Sequence, residues 1–444
     1  MRGGWYTLVY TQVLAPALFL LTLFGVLARP WRIGPATAAG IGAVLALATG
    51  VVGWRDVLTV AAIVWNATFA LIAIMIISAL LDEAGFFRWA AYYMVRWAGE
   101  NGRRLFAAVI LLGAVVSSLF TNDATVLILT PIVYELLAAL DYGPDAMLPF
   151  LMACGFVADA MSIPLVVSNL TNIITVDFFA RAGHPIGFAR FAGLMLPAAL
   201  FSLLATLAVL IWYYRKEIRS PAPGSTAPDP RTAISEPVLF RTGAWVLTAM
   251  VVAFFLNQVV RVPVSLVMAT GAAVLLLVAW RRGTVSTAAV LRRAPWHVIA
   301  FSLGMYLVVF GLANAGLTAW SSALLTRLSG YGLLPAVFGA GILVALFSAA
   351  MNNLPGVMVG CLSIAAAAGT HHEAMAFANV IGAGIGPKLT PIGSLATLIW
   401  LHYLQHKGVH INWRYYLRVG LIITPPVLLA ALLGLTLTLR LTGG

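Results

Sequence analysis

Long apolar runs, bounded by short polar or basic stretches, make up most of this 444-residue chain. A run of about 18 or more apolar residues is long enough to cross the hydrocarbon core of a bilayer as a helix. We therefore predict an all-α polytopic membrane protein with about 10–12 transmembrane segments, including residues 8–28, 33–52, 57–80, 191–214, 243–260 and 415–439. The first run is too long for the core of a secretion signal and lacks a convincing cleavage site, so we expect it to be retained.

Composition and charge support a membrane protein over a soluble one. Hydrophobic residues are 62% of the chain and charged residues only 9%, whereas a soluble domain has about 25% charged residues. The net charge of +12 comes from basic residues at the ends of apolar runs, such as Arg103, Arg104, Arg281 and Arg282. That placement follows the positive-inside rule and suits anionic lipid, so we predict contact with the bilayer and no nucleic-acid binding.

The chain divides into two halves that resemble each other. The stretch 215–241 is rich in Pro, Ser and charge and predicts a cytoplasmic linker between an N-terminal half (1–214) and a C-terminal half (242–444). At one constant spacing, Trp65, Gly85, Arg96, Gly99 and Asn122 are paired with Trp296, Gly316, Arg327, Gly330 and Asn353. A duplication of this kind is typical of transporters whose halves face each other across a midplane site, although channels and membrane enzymes can also be duplicated.

Each half contains two polar, helix-breaking motifs inside apolar sequence. They are Thr-Asn-Asp at 121–123, Ser-Asn-Leu-Thr-Asn at 168–172, Met-Asn-Asn-Leu-Pro-Gly at 351–356 and Thr-Pro-Ile-Gly-Ser-Leu-Ala-Thr at 390–397. At membrane depth, backbone N–H and C=O groups without a helical hydrogen bond are tolerated only where other protein groups or a water-filled cavity supply hydrogen bonds. One such motif could simply hold helices together, but four at matching places predict hairpin tips and broken helices around a bound solute.

These motifs and their flanks resemble the ArsB family of arsenite and antimonite exporters, within a wider ion-transporter superfamily. The resemblance rests on segments in both halves: NDATVLILTPIV (122–133), GFVADAMSIPLVVSNLTNIITVDFF (155–179), MNNLPGVMVGCLSI (351–364) and GPKLTPIGSLATLIWLHYL (386–404). It implies two inverted repeats, each with a re-entrant hairpin and a broken helix, in a multi-pass protein of the cell inner membrane. It also implies export of arsenite and antimonite in exchange for protons, in some members with an ArsA-type ATPase as partner.

Two positions depart from the pattern expected of the family. Gly384, in GAGIGPK, stands where an Asp is expected, and Gly356 stands where the second hairpin tip often carries Thr. A proton-coupling role for that missing Asp therefore cannot be assigned to this chain.

The chemistry of the motifs suits a small uncharged solute. Arsenite near neutral pH is a neutral trihydroxide, which requires hydrogen-bond donors and acceptors and little charge. We predict that the amides and hydroxyls of the four motifs bind it: Asn122, Asn169, Thr171, Asn172, Asn352, Asn353, Ser394 and Thr397. A dicarboxylate would instead favour Arg or Lys partners. The alternative to arsenite export is a related Na⁺/H⁺ exchanger or organic-anion transporter of the same superfamily.

Charged residues at membrane depth are the candidates for proton coupling. A charge there costs at least about 2.5–3.5 kcal/mol, and such residues usually pair with one another or carry protons. We predict coupling roles for Asp123, Asp159 and Lys388, with a permanent Asp–Lys pair as the structural alternative. Asp177 lies nearer a predicted span end and is expected to be interfacial. Two cysteines, Cys154 and Cys361, give no disulfide framework, and we predict no metal site, no cofactor and no catalytic residues.

Overall fold

A computed structural model of the chain describes residues 2–28, 33–221, 228–260, 262–283, 285–293, 296–316 and 318–443. Of the predicted linker 215–241, residues 222–227 lie outside the described part. The described residues form α-helices and short 3₁₀ turns and contain no β-strand. The all-α prediction is therefore confirmed, while the two half boundaries remain predictions.

The helices of the N-terminal half run from α1 to α9. They are α1 (Arg2–Ala28), α2 (Pro35–Ala48), α3 (Trp54–Glu83), α4 (Phe86–Ala98), α5 (Gly102–Leu119), α6 (Asn122–Ala139), α7 (Pro144–Ala160), α8 (Leu170–Arg181) and α9 (Phe188–Tyr214). Helix α10 (Pro237–Val260) begins within the last residues of the predicted linker. The C-terminal half continues with α11 (Val264–Arg282), α12 (Thr287–Arg293), α13 (Trp296–Asn314), α14 (Ala319–Gly330), α15 (Leu333–Met351), α16 (Asn353–Ala365), α17 (His372–Ile385), α18 (Leu395–His406) and α19 (Trp413–Leu441).

Among the described residues, nine helical stretches are long and apolar enough to cross a membrane, one of them spanning α12 and α13. Helices α2 and α16 and the part Gln12–Ala28 of α1 are shorter apolar helices. The helices end where the polar motifs begin. In the N-terminal half α5 stops at Leu119, the chain turns at Phe120 and Thr121, and α6 runs back beside α5. Helix α7 stops at Ala160, and α8 resumes only at Leu170 after an irregular segment. Helices α5 and α6 thus form a hairpin, and α7 and α8 form a broken helix.

The C-terminal half repeats this order. Helices α15 and α16 form a second hairpin that turns at Asn352, between Met351 and Asn353. Helix α17 ends at Ile385, and α18 begins at Leu395 after a 3₁₀ turn and an irregular stretch. All four breaks coincide with the four polar motifs of the sequence.

Contacts with the linker define one face of the molecule, here called the linker face. The Tyr142 hydroxyl, at the open end of the first hairpin, donates to the Arg219 carbonyl at 2.8 Å. The Gly102 N–H, at the start of α5, donates to the Ser220 hydroxyl at 3.3 Å. The first hairpin therefore enters the bundle from the linker face.

The second hairpin enters from the opposite face. Helix α9 leads from the linker face at Tyr214 to Phe188, a path of about 40 Å for a helix of this length. Near its far end Arg190 forms an ion pair with Glu373 in the first turn of α17, at 3.0 Å. The loop that joins α17 to the second hairpin thus lies on the far face. The two hairpins therefore point toward each other from opposite sides.

Close packing brings the helices of the C-terminal half into backbone contact. A β-carbon at Gly382 would lie 2.4 Å from the carbonyl oxygen of Gly341, so α15 and α17 approach without room for any side chain. Small residues at such crossings are how membrane helices maximise van der Waals contact. This packing fixes the tip of the second hairpin relative to the break between α17 and α18, here called the second break.

Candidate functional site

Four of the predicted residues, from three of the four breaks, meet in one buried network. Asp159 is the next-to-last residue of α7, and Asn122 is the first residue of α6. Lys388 lies in the 3₁₀ turn between α17 and α18, and Thr397 lies in the first turn of α18. The Asn122 side-chain amide donates to Asp159 Oδ1 at 2.7 Å, and Lys388 Nζ lies 3.1 Å from Asp159 Oδ2. Lys388 Nζ also donates to the Thr397 hydroxyl at 2.9 Å. The network therefore joins the two halves of the chain at the centre of the bundle.

The Asp159–Lys388 pair is almost wholly removed from solvent. The side chains are 1% and 3% exposed, respectively. Burying two charges is costly, and their attraction compensates only when the remaining polar atoms are also engaged. Asn122 and Thr397 provide that engagement, one on each member of the pair. The structure thus places Asp159 in the ion pair with Lys388 that the sequence left open as an alternative.

Asp123 lies next to this network but outside it. It is in the first turn of α6, partly exposed, and makes no hydrogen bond or ion pair with the described residues. Its charge is repelled by Asp159 and attracted by Lys388. Thr121, and not Asp123, caps α6, since its hydroxyl oxygen accepts from the Ala124 N–H at 3.3 Å. The Asp123 carboxylate is therefore available to a proton or a solute.

Most of the predicted polar side chains of the first broken helix form hydrogen bonds within the irregular segment between α7 and α8, here called the first break. The Asn172 amide donates to the carbonyls of Ser162 and Leu165, at 2.8 and 2.9 Å. The Asn169 side chain caps α8 at the Thr171 N–H (3.2 Å) and donates to the Ser162 hydroxyl at 3.1 Å. The Thr171 hydroxyl donates to Asn172 Oδ1 at 3.3 Å. In this structure these residues support the break, and Asn172 has both of its amide hydrogens occupied.

The second hairpin tip is strained and touches the second break. Asn352 has φ 86° and ψ 154°, a region that non-glycine residues rarely occupy and that costs about 1–3 kcal/mol. Its side chain caps α16 at the Leu354 N–H (3.3 Å), and the Asn353 N–H donates to the Gly393 carbonyl at 2.9 Å. Strain of this kind persists only where surrounding contacts enforce it, and it is concentrated at functional sites.

Two hydroxyls around the second break, those of Ser394 and Ser348, are buried without a hydrogen-bond partner in the described structure. Tyr416 stacks on Phe156, and its hydroxyl lies within hydrogen-bonding reach of Thr397 and Lys388. An unsatisfied buried polar atom costs about 1–3 kcal/mol, so each of the two serine hydroxyls can take one further hydrogen-bond partner, from water or from a solute.

Sequence reasoning missed two residues of this region. Ser162 supports both Asn169 and Asn172, and Tyr416 comes from α19, which no motif marks. The sequence Ser162-Ile163-Pro164 begins three residues after Asp159. It could have indicated Ser162, because Ser and Pro there extend the predicted helix break toward Asp159. Nothing in the apolar run of α19 distinguishes Tyr416 from a packing residue.

The two glycines that depart from the family pattern lie at tight contacts. A β-carbon at Gly384 would be 2.9 Å from Ile163 Cγ2 and 3.3 Å from Ser162 Oγ. One at Gly356 would be 2.4 Å from Ser348 Oγ. A side chain at residue 384 would thus enter the first break, close to Asp159. In this chain the space beside Gly384 is occupied by Ile163 and Ser162 of the N-terminal half.

Cysteine and metal chemistry have no geometric support among the described residues. Cys154 and Cys361 are both buried and unpaired, and Cys361 accepts a hydrogen bond from the Asn379 amide at 3.2 Å. The described part of the chain contains no group of three or more His, Cys, Asp or Glu residues placed to hold a metal ion.

Membrane-length helices, opposed hairpins and two broken helices around a buried polar network are the architecture of a multi-pass membrane transporter. The sequence profile of ArsB, the arsenical pump membrane protein family, matches residues 14–439. This chain therefore belongs to the arsenical pump membrane protein family.

Individual relatives agree with this assignment, and a solved structure shares the fold. The chain is 49% identical to the arsenical pump membrane protein of Escherichia coli (strain K12), over 97% of this chain and 100% of the relative. It is 48% identical to the protein of the same name from Yersinia enterocolitica, with the same coverage. The crystal structure of the Alcanivorax borkumensis YdaH transporter shares the fold, with a TM-score of 0.56 and 13% identity over 86% of this chain and 88% of that one.

Proposed function

We propose that the protein exports arsenite, and also antimonite, across the cell inner membrane in exchange for protons. The observation that carries this proposal is the contrast between two neighbouring carboxylates. Asp159 is neutralised by Lys388 at 3.1 Å, whereas Asp123 beside it has no such partner among the described residues. One carboxylate thus holds the halves together, and the other can take up and release a proton.

A neutral trihydroxide matches the polar groups at the centre of the bundle. Both cargoes carry hydroxyls that donate and accept hydrogen bonds and bear no charge for the site to balance. In the proposal Asn122 and Asn353 contact the solute from opposed hairpin tips, and Ser394 contributes its otherwise unpartnered hydroxyl. Asn169, Asn352 and Thr171 shape the two breaks around it, and Thr397 keeps Lys388 in place.

The organic-anion alternative is disfavoured by the same geometry. A dicarboxylate needs cationic partners, and burying its charge without them is costly. Lys388 is the cation of the central network, and its ammonium group is already shared between Asp159 and Thr397. Recruiting it for an anion would leave Asp159 buried and unpaired.

Proton exchange alone supplies enough energy for export. Moving one charge is worth about 2.3 kcal/mol per 100 mV, and about 1.4 kcal/mol corresponds to a tenfold gradient. One proton per neutral arsenite therefore supports roughly a 50-fold gradient at 100 mV from voltage alone. An ArsA-type ATPase is in this proposal an optional partner at the linker face, and it is not required for transport.

Uptake of arsenite into inverted membrane vesicles tests the proposal. We expect uptake energised by respiration to fall to the level of vesicles without the protein when a protonophore is added. Sodium replacement by potassium should leave the rate unchanged, which separates this function from a sodium-coupled exchanger. Uptake that persists with the protonophore and without ATP would show a conduit and refute the exchange mechanism.

A further inference from the structure

A cavity of about 720 Å³ opens toward the face opposite the linker, between α3, α8, α9 and α11. Its lining includes Asn66, Val166, Asp177, Arg181 and Phe188. Val166 belongs to the 3₁₀ turn inside the first break, whereas Phe188 begins α9 at the far face. The cavity therefore extends from the far face to the back of the broken helix, and none of the residues assigned to the central network lines it.

Asp177 is fixed within the wall of this cavity. The two oxygens of its carboxylate accept from the Asn66 amide, at 3.1 and 2.9 Å. The side-chain oxygen Oδ1 of Asn66 in turn accepts from the Ser265 N–H at 3.0 Å. One asparagine thus holds the carboxylate of α8 against α3 and α11. Asp177 is thus a positioned acceptor in the cavity wall, about 12 Å along α8 from Asn169 and one turn from the end of that helix.

The two charged side chains that line the cavity, Asp177 and Arg181, favour a ligand without net charge. Arg181 lies one helical turn beyond Asp177 and lines the same space. Asp177 repels anions and Arg181 repels cations, while together they offer one strong acceptor and one strong donor. A small neutral solute with several hydroxyls can satisfy both. The trihydroxide that is the proposed cargo has this chemistry.

We propose that this cavity is a second, weaker binding site for the neutral hydroxylated cargo, occupied as the cargo leaves toward the far face. The inference rests on the proposed function, because it takes its ligand class from there. Asp177 accepts hydrogen bonds from the cargo hydroxyls, Arg181 donates to a cargo oxygen, and Asn66 positions the carboxylate. The site adds a stage between the central network and release.

Equilibrium dialysis of the purified full-length protein with radiolabelled arsenite tests the proposal. We expect two classes of site in the unaltered protein. Asp177→Asn should weaken the weaker class by about tenfold or more, because hydrogen bonds to a charged group are lost, and should leave the tighter class unchanged. Asp145→Asn, which changes an exposed carboxylate at the start of α7, is the matched control and should leave both classes as they are.

Inorganic phosphate provides a second readout that does not depend on the size of that loss. Asp177→Asn leaves Arg181 unopposed, so phosphate should compete with arsenite for the weaker class, and Arg181→Gln added to this variant should abolish the competition. A weaker class that Asp177→Asn and Arg181→Gln both leave unchanged overturns the inference. A single tight class in the unaltered protein also overturns it while sparing the proposed function. Absence of all arsenite binding would instead defeat the proposed function, and this inference with it.

Discussion

Replacing Asp123 by Asn should abolish pH-driven arsenite transport while leaving arsenite binding intact. The amide keeps the size of the carboxylate and its capacity for hydrogen bonds but cannot bind and release a proton. Because Asp123 makes no hydrogen bond or ion pair with the described residues, the substitution removes no contact that holds the fold. We expect the rate of exchange to fall by two orders of magnitude or more, and the dissociation constant for arsenite to change by less than about threefold.

Two control variants make this result specific. Asp145→Asn changes an exposed carboxylate and should transport like the unaltered protein. Asn122→Ala should weaken arsenite binding itself, because Asn122 is proposed to contact the cargo and also donates to Asp159. If Asp123→Asn transports with an unchanged dependence on pH, Asp123 has no part in coupling, and Asp159 becomes the leading candidate.

Replacing Lys388 by Met should be the most destabilising single substitution in the central network. It leaves the Asp159 carboxylate buried at 1% exposure with its charge uncompensated. Removing one partner of a buried pair typically costs about 3–5 kcal/mol, a large part of the total stability of a domain. We expect strongly reduced amounts of folded protein in the membrane and a markedly lower unfolding temperature in detergent.

A second substitution separates a structural from a coupling role for this pair. Asp159→Asn combined with Lys388→Met removes both charges, and the Asn122 amide can then donate to the new amide oxygen. The double variant should recover most of the lost stability, since replacing a buried pair by neutral groups is often harmless. If the double variant is no more stable than Lys388→Met alone, the ion pair does not explain the defect.

Helices and their breaks could be predicted from the sequence because both depend on local features. Apolar runs predict membrane helices, and Asn, Pro, Gly, Ser and Thr inside such runs predict interruptions. The caps by Thr121 and Asn169 suit these residue types, whereas the strained backbone of Asn352 is held by contacts with the rest of the bundle. The repeated order of motifs in the two halves also predicted that the breaks would come in pairs.

The partners of the polar side chains could not be predicted in the same way. Asp123 and Asp159 are both carboxylates in apolar sequence, and only the packing of α7 against the second break decides that Asp159 meets Lys388. Asn172 was a reasonable solute ligand by composition, but two carbonyls of the first break occupy its amide. Asp177 depends on Asn66, more than a hundred residues earlier in the chain. Such long-range pairings are properties of the assembled bundle.

Proton counterflow in liposomes that contain this protein alone tests the central claim most directly. An outward arsenite gradient is imposed at zero membrane potential and without ATP, and a dye inside the vesicles reports pH. The account predicts that the lumen acidifies as arsenite leaves, that the protonophore cancels the signal, and that Asp123→Asn vesicles show none. Arsenite efflux through the protein without any change in luminal pH would contradict it.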